Sequence, residues 1–329
     1  MDSLNKSEIC KRCVLPESGE SIFLDSEGVC NICHRHDEKV DQKDNYLETD
    51  FEKILQSNKG KGDYDCMVMC SGGKDSILAL YYMVKKFKLR VLVFTFDHGF
   101  ENGQAIENVR NATKKLGADW LYFKTSFMKD AFRAVIESKT KTTICQICSL
   151  WYFKLSYDTA ASYKIPIIIG GWRKEQSSSE NSLFNEYEYL SSETKEFIRN
   201  NLRKIPKYKD FPLNIKEAIK KALKKQKITS LSPHWFIDDK PEDNLNLLKK
   251  ELDWKQINQS YPLGTTNCQL NFPNVFLSMK NFGFSHYTIE ISKMIRSGEI
   301  SREEALQKLK IDFDKNYVNS ILKEIDCKI

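Results

Sequence analysis

The sequence lacks any apolar run approaching the roughly 20 residues that a membrane-spanning helix needs. Glycine and proline are scarce, at 14 and 8 of 329 residues, and no repeat or low-complexity tract is present. This composition excludes fibrous and disordered classes and suits a globular protein with one large domain or two modest ones. The first residues, MDSLNKSEICKRC, are polar and lack the apolar core of a secretory signal. We therefore expect a cytoplasmic protein with no membrane partner.

Cysteine, by contrast, is plentiful, with ten residues in the chain. In a reducing compartment, metal binding or catalysis accounts for cysteines better than disulfides do. Cys10, Cys13, Cys30 and Cys33 follow the pattern C-x2-C-x16-C-x2-C, which is typical of a zinc ribbon. Four thiolates close the coordination shell of Zn²⁺, so we predict a structural zinc site in a module of residues 1–36. His34 and His36 are alternative ligands, but four cysteines suffice.

After a linker and one amphipathic helix in residues 37–64, apolar runs alternate with helical periodicity. Strands are predicted at 66–70, 91–96, 120–123 and 165–171, and helices near 77–84, 104–116, 127–138 and 149–163. Such alternation predicts an α/β fold with a parallel, doubly wound sheet over residues 65–180. Ligands of these sheets bind at the carboxyl ends of the strands.

Residues 181–329 are predicted to form a mostly helical module that contacts substrate or partner. A helix ending near Arg296, a turn at Gly298 and a capping box from Ser301 to Glu304 predict a helix–turn–helix. The segment from Arg203 to Lys227 contains ten basic residues and two acidic residues. This excess suits either a surface that binds an anionic partner or a solvated helix face, and the few interleaved aromatics favour the solvated face.

The motif with the most specific chemistry is Ser71-Gly72-Gly73-Lys74-Asp75-Ser76, between a buried strand and an amphipathic helix. The glycines allow the backbone to wrap an anion at the positive end of the helix. Lys74 adds a charge, Ser71 and Ser76 add hydroxyl donors, and Asp75 could orient Lys74 or help to hold Mg²⁺. The G-x4-G-K-[ST] spacing of a Walker A loop is absent.

This motif resembles the PP-loop of the ATP pyrophosphatases, the adenine-nucleotide alpha-hydrolase-like family, and the resemblance extends from about Asp65 to Gly171. It implies a PP-loop (HUP-like) fold in which residues 71–76 bind the pyrophosphate of ATP. It also implies catalysis by Lys74 and Asp75, a nucleotide or metal contact from Asp97, and close approach of the nucleotide to Gly170 and Gly171. The implied reaction splits ATP to AMP and pyrophosphate, adenylates a carbonyl oxygen, and replaces that oxygen by a nitrogen or sulfur nucleophile.

Cys145 and Cys148 form a further C-x2-C, and Cys268 lies in the loop Gly264-Thr265-Thr266-Asn267-Cys268. This arrangement resembles the zinc-ribbon branch of the tRNA thiolation enzymes. The resemblance implies that the three cysteines are catalytic and either hold a [4Fe–4S] cluster or include one persulfide carrier. The alternative is that they are small buried apolar residues, as we expect for Cys66, Cys70 and Cys327.

The segments CKRCVLPESGESIFLDSEGVCNIC (10–33) and IRSGEISREEAL (295–306) resemble a second branch, the N-acetyl sugar amidotransferases. That resemblance implies ammonia from a partner glutaminase and an acetamidino product. The ending IIIGGWRKEQ (167–176) and the presence of Cys268 depart from this pattern. We therefore predict replacement of the oxygen by sulfur from a donor, on a small molecule or, as a further alternative, on tRNA, in an enzyme that could be a homodimer.

Overall fold

The computed structural model describes residues 8–17, 22–39, 47–173, 188–237, 241–258, 260–262, 267–310 and 314–327. Parts of the predicted ribbon hairpin and the loop residues Gly264, Thr265 and Thr266 lie outside these ranges. None of the described helices is both long and apolar enough to cross a membrane.

Five parallel strands form one sheet in the order β3-β2-β1-β4-β5. They are β1 (Cys66–Met69), β2 (Val91–Asp97), β3 (Asp119–Lys124), β4 (Ile167–Ile169) and β5 (Thr229–Leu231). The four predicted strands are confirmed, and β1, β2 and β4 are buried along their whole length. The fifth strand was not predicted, and it extends the sheet beyond the expected domain boundary at residue 180. That boundary stays a prediction.

Thirteen α-helices occur in the described part of the chain. They are α1 (Asn31–Lys39), α2 (Glu48–Asn58), α3 (Lys74–Tyr81), α4 (Gly103–Leu116), α5 (Lys129–Ser138), α6 (Ile144–Ser162), α7 (Glu188–Asn200), α8 (Ile215–Lys225), α9 (Pro241–Leu252), α10 (Asn271–Phe282), α11 (Tyr287–Arg296), α12 (Arg302–Lys308) and α13 (Lys315–Glu324).

Side chains alternate across the sheet, as strand geometry requires. Met67 and Met69 of β1 join a cluster with α5 and α6, whereas Cys66 and Val68 join a second cluster with α2, α3 and α4. Both faces of the sheet are therefore covered, which confirms the doubly wound architecture. Burial raises the pKa of the Cys66 and Cys70 thiols, in keeping with packing roles for both.

Helix α6 begins at Ile144, five residues before the predicted start at Ser149. Thr143 caps it, since its hydroxyl accepts from Gln146 N at 3.3 Å while the Gln146 side chain accepts from Thr143 N at 2.8 Å. This capping box places Cys145 and Cys148 in the first turns of a 19-residue helix rather than in the loop before it.

The basic stretch forms α8 and two short 3-10 turns before it. Ala218 and Ala222 are buried, and α8 packs against α6. Lys216, Lys220 and Lys224 are exposed on the opposite side. The lysines thus occupy the solvated face of an amphipathic helix.

The helix–turn–helix is confirmed by α11, a left-handed Gly298 and the capping box of Ser301 and Glu304 before α12. The cysteine module packs on this pair of helices, where Val14 contacts Ile291 and Ala305. The Arg302 guanidinium donates to the carbonyl oxygens of Cys13 and Cys10 at 2.9 and 3.2 Å. The N-terminal module is therefore held by the C-terminal one.

Asp65 is a buried carboxylate just before β1, where it accepts hydrogen bonds from Gly60 N at 2.7 Å and Arg90 Nη2 at 2.8 Å. Burial acting alone would raise the pKa of Asp65, but the hydrogen bonds from Arg90 and Gly60 outweigh it and leave this pKa lowered. A lowered folded-state pKa means that the carboxylate stabilises the fold above its ordinary pKa of about 4. That contribution is lost as the pH falls through the folded-state pKa.

We expect Asp65→Asn to lower the free energy of unfolding by about 2 kcal/mol at neutral pH, because hydrogen bonds to a charged group are lost. In acid the wild type loses the same contribution, so urea denaturation should show the two proteins converging. Asp50→Asn is the matched control, since Asp50 forms an exposed pair with Lys53 at 3.0 Å, and it should change stability by less than about 0.5 kcal/mol. An Asp65→Asn deficit that stays constant from neutral to acid pH would contradict the role of the charge.

Candidate functional site

The strand order reverses between β1 and β4, because successive strands run outward from β1 on one side and from β4 on the other. In open parallel sheets such a reversal opens a crevice at the carboxyl ends of the strands. The loop from Ser71 to Gly73 leaves β1 at this point and leads into α3. The predicted anion-binding motif thus lies where the topology places a ligand.

Three glycines allow the walls of this crevice to come together. Gly72 has φ +83°, and a Cβ added there would lie 2.1 Å from the carbonyl oxygen of Ala105. A Cβ on Gly171, at the end of β4, would lie 2.6 Å from Ser76 N in the first turn of α3. One on Gly73 would lie 2.9 Å from the Asn267 side chain. A side chain at Gly72 would push the loop away from α4, one at Gly171 would push the end of β4 away from α3, and one at Gly73 would push the loop away from Asn267.

The loop is held by hydrogen bonds from inside and outside the motif. Ser76 Oγ donates to Gly73 O at 3.0 Å and accepts from Ser71 N at 3.3 Å. The Gly72 carbonyl accepts from Trp254 Nε1 at 3.0 Å and from Asn108 Nδ2 at 3.1 Å. These contacts fix the loop before any ligand binds, which lowers the cost of ordering it around an anion.

The resulting cleft has an empty volume of about 660 Å³ including its open mouth. Its walls are formed by Met69, Ser71, Gly73, Lys74, Asp75, Ser76, Tyr152, Gly170, Gly171, Trp172 and Asn267. Lys74 and the amino end of α3 provide positive potential for phosphates. Asp75 is the only carboxylate among these lining residues, and one carboxylate together with substrate phosphates is a usual environment for Mg²⁺. The cleft therefore fits Mg²⁺–ATP.

Asp97, predicted to contact nucleotide or metal, lies at the end of β2 and is not among the residues that line the cleft. Its Oδ1 accepts from Gly99 N at 2.7 Å, and its Oδ2 accepts from the Tyr122 hydroxyl and lies 3.4 Å from Lys124 Nζ. The carboxylate is thus engaged in the turn after β2, and a ligand contact from Asp97 stays a prediction.

Cys268 is not among the residues that line the cleft, but backbone pairing that the sequence did not reveal joins its segment to the loop after β2. Asn102 N donates to Asn267 O, and Gln269 N donates to Phe100 O, both at 2.8 Å. Cys268 Sγ then lies 3.6 Å from Nε2 of the buried His98, which is itself 3.1 Å from Glu101 Oε1. Burial raises the pKa of the Cys268 thiol to about 11, and His98 opposes part of that rise.

Cys145 and Cys148 lie on the first turns of α6. The exposed Cys145 Sγ accepts from Asn274 Nδ2 at 3.2 Å, and Asn274 Oδ1 accepts from Ile144 N at 2.7 Å. Cys148 and Cys268 pack on the same hydrophobic cluster. Within the described residues, these three cysteines do not form a group with all ligand atoms within 4.8 Å, so they do not surround a single metal ion. A cubic cluster binds each thiolate through a different iron atom and requires a wider spacing.

The N-terminal cysteines do form such a group. Cys10, Cys13, Cys30 and Cys33 are buried, and their four sulfur atoms lie within 4.8 Å of one another. The sulfur atoms of Cys13 and Cys30 are 3.7 Å apart, and those of Cys10 and Cys33 are 3.9 Å apart. Four closely spaced thiolates with no other ligand fit one tetrahedral ion, as the spacing predicts.

Several residues of the site were not predicted, namely His98, Trp172, Arg173, Asn267 and Trp254. Asn267 Nδ2 donates to Ser71 Oγ at 2.9 Å, and Arg173 pairs with Asp75. His98 follows a strand end beside Asp97, which was a usable signal. The other contacts join distant parts of the chain and leave no local pattern.

Comparison with known proteins gives two family matches. Residues 64–123 match the diphthamide synthase N-terminal domain, and residues 266–328 match the C-terminal domain of the WbpG-like LPS biosynthesis proteins. A curated relative, an uncharacterized protein of Methanocaldococcus jannaschii, is 27% identical over 266 residues, which are 80% of this chain and 79% of the relative.

Solved structures with similar chains share little sequence. The U34-tRNA thiolase of Methanococcus maripaludis, solved with its [4Fe–4S] cluster, is 14% identical, with a TM-score of 0.39 and coverage of 97% of this chain and 98% of its own. The NMN synthetase of Francisella tularensis is 14% identical, with a TM-score of 0.39 and coverage of 82% and 96%. The NH3-dependent NAD synthetase of Campylobacter jejuni is 16% identical, with a TM-score of 0.29 and coverage of 61% and 95%.

The match over residues 64–123 covers β1, the glycine loop, β2 and nearly all of β3, and so the side of the crevice that the glycine loop forms. Residues 64–123 therefore match a PP-loop domain of the ATP pyrophosphatase type, and residues 266–328 match a WbpG-like C-terminal domain. These matches support an ATP-dependent adenylating enzyme.

Proposed function

We propose that the enzyme adenylates a carbonyl oxygen of its substrate and then replaces that oxygen by sulfur. The observation that carries this proposal is the position of Cys268. Its neighbour Asn267 donates to Ser71 of the PP-loop at 2.9 Å, so a thiol stands one residue from the nucleotide site. Cys145 and Cys148 supply two more sulfur atoms from the adjoining turns of α6.

In the first step the substrate oxygen attacks the α-phosphorus of ATP, and the bond to pyrophosphate breaks. Lys74 and the N–H groups at the start of α3 stabilise the charge that develops on the departing pyrophosphate. Asp75 would hold Mg²⁺, which neutralises the phosphates. In the second step a sulfur nucleophile attacks the activated carbon, and AMP leaves with the original oxygen.

The cysteines have two roles in this proposal. Cys10, Cys13, Cys30 and Cys33 would hold Zn²⁺ as a structural ion. Cys145, Cys148 and Cys268 would hold a [4Fe–4S] cluster, which supplies an open iron position for a sulfur ligand, or else one of them would carry a persulfide. On a cluster, the sulfur would come from inorganic sulfide, which ligates the open iron position without a redox change. On a persulfide, it would come from a donor protein that transfers sulfur already at the persulfide level to the cysteine thiol.

A second candidate is transfer of ammonia to an N-acetyl sugar, and the WbpG-like match over residues 266–328 favours it. The adenylation step would be the same, and a partner glutaminase would supply the nitrogen. The product would then contain an imino nitrogen in place of oxygen, and the three site cysteines would have no chemical role.

The two candidates separate in one experiment. The enzyme, purified anaerobically, is incubated with ATP and a deproteinised small-molecule extract or total tRNA, together with sulfide or ammonium. AMP is measured, and mass spectrometry identifies the exchanged atom. Sulfide-dependent AMP release with a thiocarbonyl product supports the proposal. Ammonium-dependent release with an amidine product would replace it by the second candidate.

We expect Cys268→Ser to lower sulfide-dependent turnover by more than about 1000-fold, because it removes a group that acts directly on the reacting atoms. ATP binding should be retained, since the backbone pairing of residues 267–269 does not need the thiol. Cys327→Ala, which alters a buried thiol of the hydrophobic cluster, is the control and should keep its activity. Full turnover by Cys268→Ser would argue against a sulfur role for this residue.

A further inference from the structure

Arg173 lies two residues beyond Gly171 at the end of β4, on the opposite side of the crevice from the PP-loop. Its Nε and Nη2 atoms lie 3.0 and 2.7 Å from the same Oδ1 atom of Asp75. Both side chains remain about a quarter exposed, at 26% for Arg173 and 23% for Asp75. The ion pair thus spans the crevice at its solvent-accessible side.

This pair is unusual because Asp75 stands inside an anion-binding cleft. A carboxylate there repels phosphate unless a cation neutralises it. The aspartate is also fixed in position, since it belongs to the first turn of α3 and its backbone oxygen accepts from His234 Nε2 at 2.9 Å. Arg173 neutralises the carboxylate in the nucleotide-free protein, and Asp75 directly follows Lys74 of the loop.

Guanidinium is well suited to phosphate, because its planar array of donors matches two phosphate oxygens at once. Mg²⁺ that enters with the nucleotide competes with Arg173 for the Asp75 carboxylate. Two cations on one carboxylate repel each other, so binding of the ion favours movement of the guanidinium toward the phosphates.

We propose that Arg173 is a binding residue for the pyrophosphate portion of ATP, held on Asp75 until Mg²⁺ replaces it there. This inference rests on the proposed use of ATP and adds a residue from the segment after β4 to the phosphate contacts of the PP-loop. It predicts that Arg173 contributes to binding of ATP and pyrophosphate but not to binding of AMP.

The test is a thermodynamic cycle on the full chain, with wild type, Arg173→Gln, Asp75→Asn and the double variant. Isothermal titration calorimetry measures the affinities for pyrophosphate, ATP and AMP, with Mg²⁺ and with EDTA. We expect Arg173→Gln to weaken pyrophosphate and ATP binding by about 10-fold or more, since a charge-assisted contact is lost, with AMP unchanged. Asp75→Asn should tighten Mg²⁺-free pyrophosphate binding and reduce the gain from Mg²⁺.

The decisive comparison is Arg173→Gln in the Asp75→Asn background. If Arg173 contacts phosphate, Arg173→Gln still weakens pyrophosphate binding by about 10-fold in that background. If Arg173 serves only to position Asp75, the effect disappears in that background, and the proposal is overturned. Arg133→Gln is the matched control, because Arg133 pairs with Asp130 on α5 at similar exposure and away from the cleft.

Two further outcomes are distinguishable. Wild-type protein that binds neither ATP nor pyrophosphate would overturn the proposed function and this inference together. Wild-type binding with no loss in Arg173→Gln would overturn this inference alone. Circular dichroism and the melting temperature of each variant establish that it is folded. If Arg173→Gln is destabilised, Arg173→Lys takes its place as the test variant. Because lysine retains the charge, Arg173→Lys should bind pyrophosphate more tightly than Arg173→Gln.

Discussion

Replacing Gly72 with alanine should abolish ATP-dependent turnover. The residue has φ +83°, and an added Cβ would lie 2.1 Å from the backbone oxygen of Ala105 at the start of α4. Backbone at that distance cannot yield as a flexible side chain does, so the loop must change shape. The shift would disrupt the Gly72 carbonyl contacts with Trp254 and Asn108 and move the N–H groups that face the phosphates. We expect turnover to fall by more than about 100-fold, in line with the loss of oriented donors in other active sites, and the melting temperature to fall by several degrees.

The control is Gly103→Ala, in the first turn of α4. A Cβ at Gly103 meets no atom within 4 Å, and its φ is not positive. Alanine there should leave turnover unchanged and raise helix stability slightly. Affinity for ATP, measured by calorimetry, should be lost in Gly72→Ala and kept in Gly103→Ala. Wild-type ATP affinity in Gly72→Ala would show that the loop tolerates the side chain.

Replacing Cys13 with serine should remove the metal ion from the N-terminal module. Binding of a structural Zn²⁺ by four thiolates contributes about 10–16 kcal/mol in isolated modules, so loss of one ligand should unfold this small one. The effect should extend to α11 and α12, because Arg302 donates to the Cys13 and Cys10 carbonyls and Ile291 packs on Val14. Metal analysis and hydrogen exchange of residues 287–308 measure the two consequences separately.

His34→Ala is the matched control for the metal site. His34 follows Cys33 directly, but its ring pairs with Asp25 at 2.7 Å on the surface of the module. We expect the variant to retain one zinc ion per chain and normal exchange in α11 and α12. Loss of metal from His34→Ala, or its retention in Cys13→Ser, would require a different ligand set.

The parts of the fold that could be predicted are those in which local sequence and tertiary environment agree. β1, β2 and β4 are apolar throughout because helices cover both faces, and such runs are visible in the sequence. β5 contains only Thr229, Ser230 and Leu231 within a lysine-rich region. Its strand conformation depends on pairing with β4 and not on a local sequence pattern. Helix α6 begins before its predicted start because of a capping box, and the periodicity of apolar residues does not reveal such a cap.

The site divides in the same way. The residues of the PP-loop are contiguous, so their motif reveals them together. Asn267 and Ser71 are 196 positions apart, and Arg173 and Asp75 are 98 apart. Such contacts depend on how loops meet above the sheet, which is set by the whole fold. The cysteine module was recognisable for the opposite reason, since two short motifs contain all four of its ligands.

The attachment of the cysteine module to α11 and α12 joins the two ends of the chain. In architectural terms, the nucleotide domain is an insertion between the cysteine module and the helices α11 and α12 that hold it. Deleting residues 1–36 would uncover Ile289 and Ile291, both buried in the full protein, and so create an apolar surface on the remaining chain. Exchange of either end between homologues should therefore succeed only when both ends are exchanged together.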